Sequence, residues 1–416
     1  MGTGFSEARL AHLHRALRAL ELPSPPFANP PTGGDAKGVH WVRPTLVAEV
    51  QFMEWTQEGL LRQAAFLGLR DDKPARAIVR EVPAKPAEET RQLKPDVDVR
   101  AGRESPVEGP NRSRSGSASS STVAGIRISH PDRVLYADDG ITKLELARYY
   151  ESVADLILPH LQGRALMLVR CPEGHTTGCF YQKHATDQVH EAIDRVEVEE
   201  ADGRACYMVA NTTAAVVALA QLGVLELHTL GARQDRLDRP DRMILDLDPA
   251  PDVPWKEVIE AALLTRTLLD EVKLKSFVKT TGGKGLHVVV PLQQRHSWEE
   301  VKDFSKALAG HMTRTIPARF TDNMAKRARH GKVYIDFLRN SQGATAVAAY
   351  STRARPGAPV SVPLTWDELS TDVRSDQFTI RNIQDRVSQR PTDPWAGYAM
   401  VRQHVTVSMK NRLADH

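Results

Sequence analysis

The sequence predicts a mixed α/β (α+β) fold, with sheets flanked by helices, preceded by a small, partial β module. Three observations carry this expectation. Beyond residue 127, segments with apolar residues three and four apart alternate with short runs rich in β-branched and aromatic residues, the pattern of helices packed on sheets. Residues 83–122 shift to Pro and Glu and then to the tract GRESPVEGPNRSRSGSASSST, which has almost no large apolar side chain to bury and reads as a disordered linker. Ahead of it, residues 40–80 hold a few alternating segments, enough for a small β unit and too few for a full barrel. The expected division is a module over 1–85, a linker over 86–122 and a large domain over 123–416.

A chain of 416 residues can hold two or three domains with substantial cores. A net charge of +3 permits a nucleic-acid partner without arguing for one, because charge has to be local to matter. Cys171, Cys179 and Cys206 contain no CxxC pair, so neither a disulfide framework nor a structural zinc site is expected. The spacing of Cys171 and Cys179 with His175 and His184 fits no common zinc pattern. No charged-then-apolar leader opens the chain and no apolar run reaches membrane-spanning length, so a reducing cytoplasm and no membrane partner are expected.

Residues 5–22 repeat apolar side chains at helical spacing behind Ser6, and the prolines at 23, 25, 26, 30 and 31 then forbid regular structure. Alternation over 46–55 predicts a strand. In the large domain Thr142 and Glu145 form a capping box for a helix over 143–158. Strands are expected at 165–171, 179–185 and 205–210, with a helix at 212–222. A short strand over 243–247 is expected to break at Asp246 and Asp248, just before Pro249. A helix at 253–272, a strand SFVKTT, a glycine turn, the strand HVVVPL, a helix at 298–312, the strand 332–340 and AVAAYS complete the alternation.

Three of these segments carry chemistry. Asp246 and Asp248 are two apart on a strand, so their carboxylates leave the same face, and two such anions need a neutralising cation if buried. A divalent metal is one answer, although a strand-end DxD is more often a solvated turn or a helix cap. The second segment, TTGGKGLH over 280–287, is a glycine-rich turn whose backbone N–H groups can approach a phosphate, with Lys284 and His287 to neutralise or hydrogen-bond it. The third, KVYIDFLRN, places Asp336 in an aromatic and β-branched strand, where an unpaired acid is costly. Asp336 has an ordinary explanation in a salt bridge to Arg339 or Arg329. Beside the DxD, metal-assisted nucleotide chemistry is the stronger one.

LDLDP, TTGGKGLH, the run from IDFLRN to TWDEL, the opening ISHPDRVLY and the segment CFYQKH together resemble the polymerase domain of bacterial LigD, over about residues 123–400. LigD is the ligase and polymerase of non-homologous end joining, and its polymerase belongs to the archaeo-eukaryotic primase superfamily. The resemblance implies a primase-like polymerase fold in which Asp246, Asp248 and Asp336 hold two Mn²⁺ or Mg²⁺ ions. A 3′-hydroxyl would then attack the α-phosphate of an incoming NTP or dNTP, ribonucleotides being preferred. Thr281, Gly282, Lys284 and His287 fall where the family cradles the triphosphate, with Thr at 281 in place of the usual Ser. Lys183, His228, Arg329, Arg339 and Arg353 align with basic positions around the nucleotide. The family's His-Pro-Trp is His228-Thr229-Leu230 here, with no aromatic residue after the histidine. Arg133 and Lys143 align with two basic residues that bind a 5′-phosphate across a gap, arginine replacing one lysine.

Residues 2–10 and 41–74 resemble the last part of the OB-fold domain of the ATP-dependent DNA ligase joined to LigD. No KxDG motif occurs in the chain, so no lysine is present to take up AMP and ligase activity is not expected from it; it resembles a truncated or split ligase-polymerase. The implied partners are gapped, overhanging or 5′-phosphorylated DNA, with the Ku end-binding protein and a separate ligase chain as candidates. The implied setting is the bacterial cytoplasm at the nucleoid. Two rival functions follow from the same residues: a non-catalytic DNA-end-binding scaffold derived from a decayed ligase-polymerase, and a metal-dependent nuclease.

Overall fold

The structure is a computed structural model. It describes residues 7–27, 39–51, 54–55, 61–62, 65–70, 75, 121–186, 189–200, 203–390 and 392–414. The chain divides into two units, Met1–Gly116 and Ser117–His416. The Ser6 cap and nearly all of the expected linker lie outside the described residues.

In the first unit, α1 (Glu7–Arg18) carries Arg15 and Arg18 in its last turn, where they complement the helix dipole. β1 (Glu21–Leu22) pairs with β2 (Trp41–Val42), and β3 (Val47–Gln51), β4 (Glu54–Trp55), β5 (Leu61–Arg62) and β6 (Ala65–Arg70) follow. The pairs are β3 with β6 and β4 with β5, all antiparallel. The strand expected over 46–55 is thus divided into β3 and β4, which pair with different partners.

The second unit opens with two small ribbons: β7 (Thr122–Val123) with β8 (Ile126–Arg127), and β9 (Val134–Tyr136) with β10 (Ile141–Thr142). Thr142 then caps α2 (Lys143–Ser152), its hydroxyl accepting from Glu145 N while the Glu145 carboxylate accepts from Thr142 N. The single helix expected over 143–158 is instead two. Ser152 Oγ donates to Tyr149 O (2.7 Å), the carbonyl that also accepts from Val153 N (3.1 Å), and Val153 leaves helical geometry before α3 (Ala154–Leu161) begins.

β11 (Leu166–Arg170) and β12 (Phe180–Gln182) form an antiparallel pair in which Arg170 faces Phe180. That register carries Cys171 and Cys179 to the next opposed position, and their sulfurs are joined in a disulfide. The cysteine spacing in sequence argued against any such bond; strand pairing brings the two together. The hairpin of β13 (Asp194–Glu200) and β14 (Gly203–Val209) leads to α4 (Thr213–Gln221), whose buried Ala, Val and Leu side chains occupy nearly its whole circumference.

β15 (Val224–Leu230) and β16 (Arg242–Pro249) are interior strands of the two main sheets. α5 (Trp255–Glu271), β17 (Phe277–Thr280), β18 (Leu286–Pro291), α6 (Trp298–Thr315), β19 (Phe320–Thr321), β20 (Val333–Asp336), β21 (Thr345–Val347), β22 (Pro363–Leu364), α7 (Ile383–Gln389) and α8 (Val407–Ala414) complete the unit. One sheet has the order β12-β11-β15-β21, and the other β19-β20-β16-β18-β17-β22. All pairs in the two are antiparallel except β19 with β20. Apolar side chains of both sheets and of α2, α4, α5 and α6 share one buried core. Among the described residues no helix is long and apolar enough to cross a membrane.

Two boundaries differ from expectation at the place where the acids lie. β16 does not break at Asp246 but continues to Pro249, because β18 pairs with it through Leu247 and β20 takes over from Asp246 onward. β20 ends at Asp336 rather than running to 340. The Asp336 carboxylate accepts from Leu338 N (2.9 Å) and caps a 3₁₀ turn, Phe337–Asn340.

Candidate active site

Strand register brings the three acids to one place. Asp246 on β16 is directly opposite Asp336 on β20, and Asp248, two residues on, shares the face of Asp246. Asn340, buried in the turn after β20, clamps the arrangement by accepting from Ile244 N and donating to Ile244 O, both at 2.8 Å. Arg339 from the same turn donates to Asp246 (Nε to Oδ2, 3.1 Å) and lies 3.3 Å from Asp336 Oδ2. Asp248 is held by Arg329 (2.9 Å) and Lys284 (3.1 Å). Arg329 in turn stacks over Tyr334, 3.8 Å from the ring centroid. The ordinary explanation for Asp336, a salt bridge to Arg339, is therefore present.

Burial pushes the Asp246 carboxyl upward, but His287 and Arg339 beside it more than reverse this and hold it below the usual carboxylate range. Asp336 goes the other way: burial and the neighbouring Asp246 charge raise it despite Arg339. His287 faces Asp246 across β18 and β16, with Nε2 3.4 Å from Oδ1. Burial, then the charge of Lys279, lower the imidazole to about 4, so the ring is neutral at pH 7. Its Nδ1 is buried and has no hydrogen-bond partner among the described residues.

The glycine-rich loop joins β17 to β18 against the end of β16. A Cβ on Gly285 would lie 2.2 Å from the Leu247 carbonyl oxygen, so only glycine lets the loop approach so closely. Gly282 has φ +65°, and a Cβ there would meet Arg353 Cγ at 2.9 Å. The Thr281 hydroxyl is buried in its own loop, donating to Gly285 O (3.0 Å) and accepting from Gly283 N and Gly285 N (both 3.3 Å). Lys284 Nζ also donates to Pro249 O (2.8 Å), which ties the loop tip to the strand bearing the acids.

A second constellation adjoins the loop. Arg353 donates to Thr281 O (2.7 Å), and its Nε lies 3.0 Å from Glu226 Oε2; His228 Nε2 lies 2.8 Å from that same oxygen. Lys183 follows β12 at the outer edge of the four-stranded sheet and is half-buried. Arg133 and Lys143 lie together elsewhere, joined by Lys143 N donating to Arg133 O (2.8 Å). Arg133 pairs with Glu173 (2.7 Å), and Lys143 Nζ donates to Ser129 O (3.1 Å). Burial first, then the charges of Arg133 and Arg170, lower the Lys143 ammonium to about 8.

Sequence reasoning passed over Glu226, Lys279 and Asn340. LELHTL did contain a signal for Glu226, since strand alternation puts it on the face of His228. Lys279 is almost fully buried, bonded to Ser361 Oγ (2.6 Å), and burial followed by the Arg353 charge lowers its ammonium well below the ordinary range.

Carboxylate oxygens are hard donors of the kind that Mg²⁺ and Mn²⁺ take, and Asp246, Asp248 and Asp336 fit such ions in chemistry. Among the described residues, however, no three acidic, histidine or cysteine side chains stand as a formed metal site. Arg339 lies against both Asp246 and Asp336, and an ion held between these two acids would have to displace it.

The fold is that of a polymerase domain. The polymerase domain of Mycobacterium tuberculosis ligase D, solved in complex with DNA, matches with a TM-score of 0.61 at 30% identity, over 64% of this chain and 95% of that one. The family model of the LigD primase-polymerase domain matches residues 142–395, and that of the ATP-dependent DNA ligase C-terminal region matches residues 1–73. The chain belongs to the LigD primase-polymerase family. The multifunctional non-homologous end joining protein LigD of Pseudomonas aeruginosa is 41% identical over 99% of this chain and 47% of its own length. That of Mycolicibacterium smegmatis is 32% identical over 64% of this chain and 35% of its own. The chain thus spans about half, or less, of these curated relatives.

Proposed function

We propose that this chain adds nucleotides from NTP or dNTP to DNA 3′ ends at gaps and double-strand breaks, in bacterial non-homologous end joining. The observation that carries the reading is the cross-strand placement of Asp246 opposite Asp336, with Asp248 on the same face and the glycine-rich loop packed on the same strand. Two Mn²⁺ or Mg²⁺ ions held by these acids would supply an activated 3′-hydroxyl and a charge sink for pyrophosphate. The other groups have separable tasks. Lys284, Arg329 and Arg339 turn from the acids to the triphosphate, a handover between anions that costs less than exposing a bare charge. His228, Arg353 and the loop backbone orient the nucleotide, His287 lies against Asp246, and Lys183 contributes from the sheet edge. Arg133 and Lys143 take the 5′-phosphate across the gap.

Primer extension on gapped, 5′-phosphorylated DNA with Mn²⁺ tests this. The wild-type chain is expected to lengthen the primer, while the double variant Asp246→Ala, Asp248→Ala retains DNA binding and adds nothing. Extension by the double variant would refute the assignment of the acids, and shortening of the primer would indicate a nuclease. The scaffold reading has one observation in its favour, the engagement of Arg339 with both opposed acids. It predicts DNA binding with no change in primer length.

A further inference from the structure

Glu226 is an acid inside the protein, with a side chain 9% exposed, on an interior strand of the four-stranded sheet. Both of its oxygens are engaged. Oε1 accepts from Ala354 N (2.9 Å), and Oε2 is hydrogen-bonded to His228 Nε2 (2.8 Å) and forms an ion pair, without a hydrogen bond, with Arg353 Nε (3.0 Å). Arg353 carries the connection onward, donating to Thr281 O and filling with its own methylenes the space that a side chain at Gly282 would need. One carboxylate therefore ties a histidine of one sheet to the glycine-rich loop of the other.

A buried ion pair is weak support for stability, since apolar residues of the same volume often serve as well. Here both side-chain partners of the carboxylate are groups that the proposed function places at the nucleotide. Resting on that reading, we propose that Glu226 is the positioning residue of the nucleotide site. It holds His228 with its Nε2–H turned inward, which leaves Nδ1 as the acceptor offered to the nucleotide, and it fixes Arg353 against the loop. Burial raises the Glu226 carboxyl, but Arg353 and the His228 hydrogen bond outweigh it and bring the group to about 2, so it is ionised throughout the working range. Burial lowers His228 in spite of Glu226, so the ring carries a single proton at neutral pH.

The test is Glu226→Gln in the full chain, a neutral substitute of the same size, assayed by nucleotide addition on gapped 5′-phosphorylated DNA with Mn²⁺. Losing a charge-assisted contact is expected to raise KM for the nucleotide about tenfold, with kcat and the nucleotide-free DNA affinity little changed. In a His228→Ala background the same substitution is expected to cost only about threefold, because part of what Glu226 orients has gone. A KM for Glu226→Gln within about twofold of wild type, or full additivity with His228→Ala, overturns the proposal. A merely structural pair would lower Tm and leave KM in place. Should Glu226→Gln not fold, ¹⁵N NMR of the wild-type imidazole decides: the Nε2–H tautomer of His228 supports the assignment, and the Nδ1–H form or an imidazolium at neutral pH overturns it. A wild-type chain that adds no nucleotide to gapped DNA refutes the proposed function instead, and the tautomer then remains a test of the contact itself.

Discussion

Gly285 is the residue on which the loop's approach to the acids depends. The Leu247 oxygen 2.2 Å from its absent Cβ is backbone, so no rotamer relieves the overlap. Gly285→Ala is expected to cost about 3 kcal/mol, read as a fall of roughly 5 °C or more in Tm and a larger loss of nucleotide addition. Two residues away, a Cβ on Gly283 would meet Thr281 Oγ1 at 3.4 Å and Arg355 Cζ at 3.6 Å, which is ordinary contact. Gly283→Ala is expected to stay within about 1 kcal/mol of wild type. Equal melting temperatures for the two variants would show that the close approach does not matter. At this scale the sequence was legible where a motif was local: Asp246, Asp248 and the loop stand out because their neighbours in space include their neighbours in chain. Glu226 was not, since its partners Arg353 and Ala354 lie 127 and 128 positions away, and a buried polar residue is revealed only by what it touches.

Helices and strands were easier to recognise than to end. The capping box at Thr142 located the start of α2, but its end lies at Val153, beside the Ser152 hydroxyl bonded to Tyr149 O, a local arrangement that spacing does not show. The expected break in β16 failed for a related reason: its backbone groups are satisfied by two partner strands that leave no mark on residues 243–249 themselves. The cysteine pair is the same lesson, being brought about by the β11–β12 register. The start of α2 also carries a prediction. Arg133→Ala with Lys143→Ala is expected to weaken binding chiefly to 5′-phosphorylated gaps, lowering the salt slope by about one unit per lost contact. Equal losses on unphosphorylated DNA would mean generic charge. Because Lys143 titrates near 8 rather than 10.5, its charge is present below that pH and lost above it. The preference for phosphorylated over unphosphorylated gaps should therefore fall between pH 7 and pH 9, and a titration of Lys143→Ala should lack that component. The folding sign is opposite: with the folded pKa depressed, the unfolded chain binds more protons between about 8 and 10.5, so this group favours the folded state increasingly as pH rises through that window.

Over the whole molecule, the family models match residues 1–73 and 142–395, on either side of the compositional break over 83–122. What could not be read was the state of the centre between its acids. Asp246, Asp248 and Asp336 are already matched by Arg339, Arg329 and Lys284, charge for charge. Treatment with EDTA is accordingly expected to abolish nucleotide addition while shifting Tm by less than about 2 °C, with activity restored by Mn²⁺. A large thermal destabilisation on chelation would mean that the ions, not the basic side chains, hold the acids in place. The guanidinium between the opposed carboxylates thus has a meaning beyond the resting state. On the proposed function, a protein that carries its own counter-charges would outlast a spell of metal scarcity intact, and be ready to work as soon as ions and a broken end arrive together.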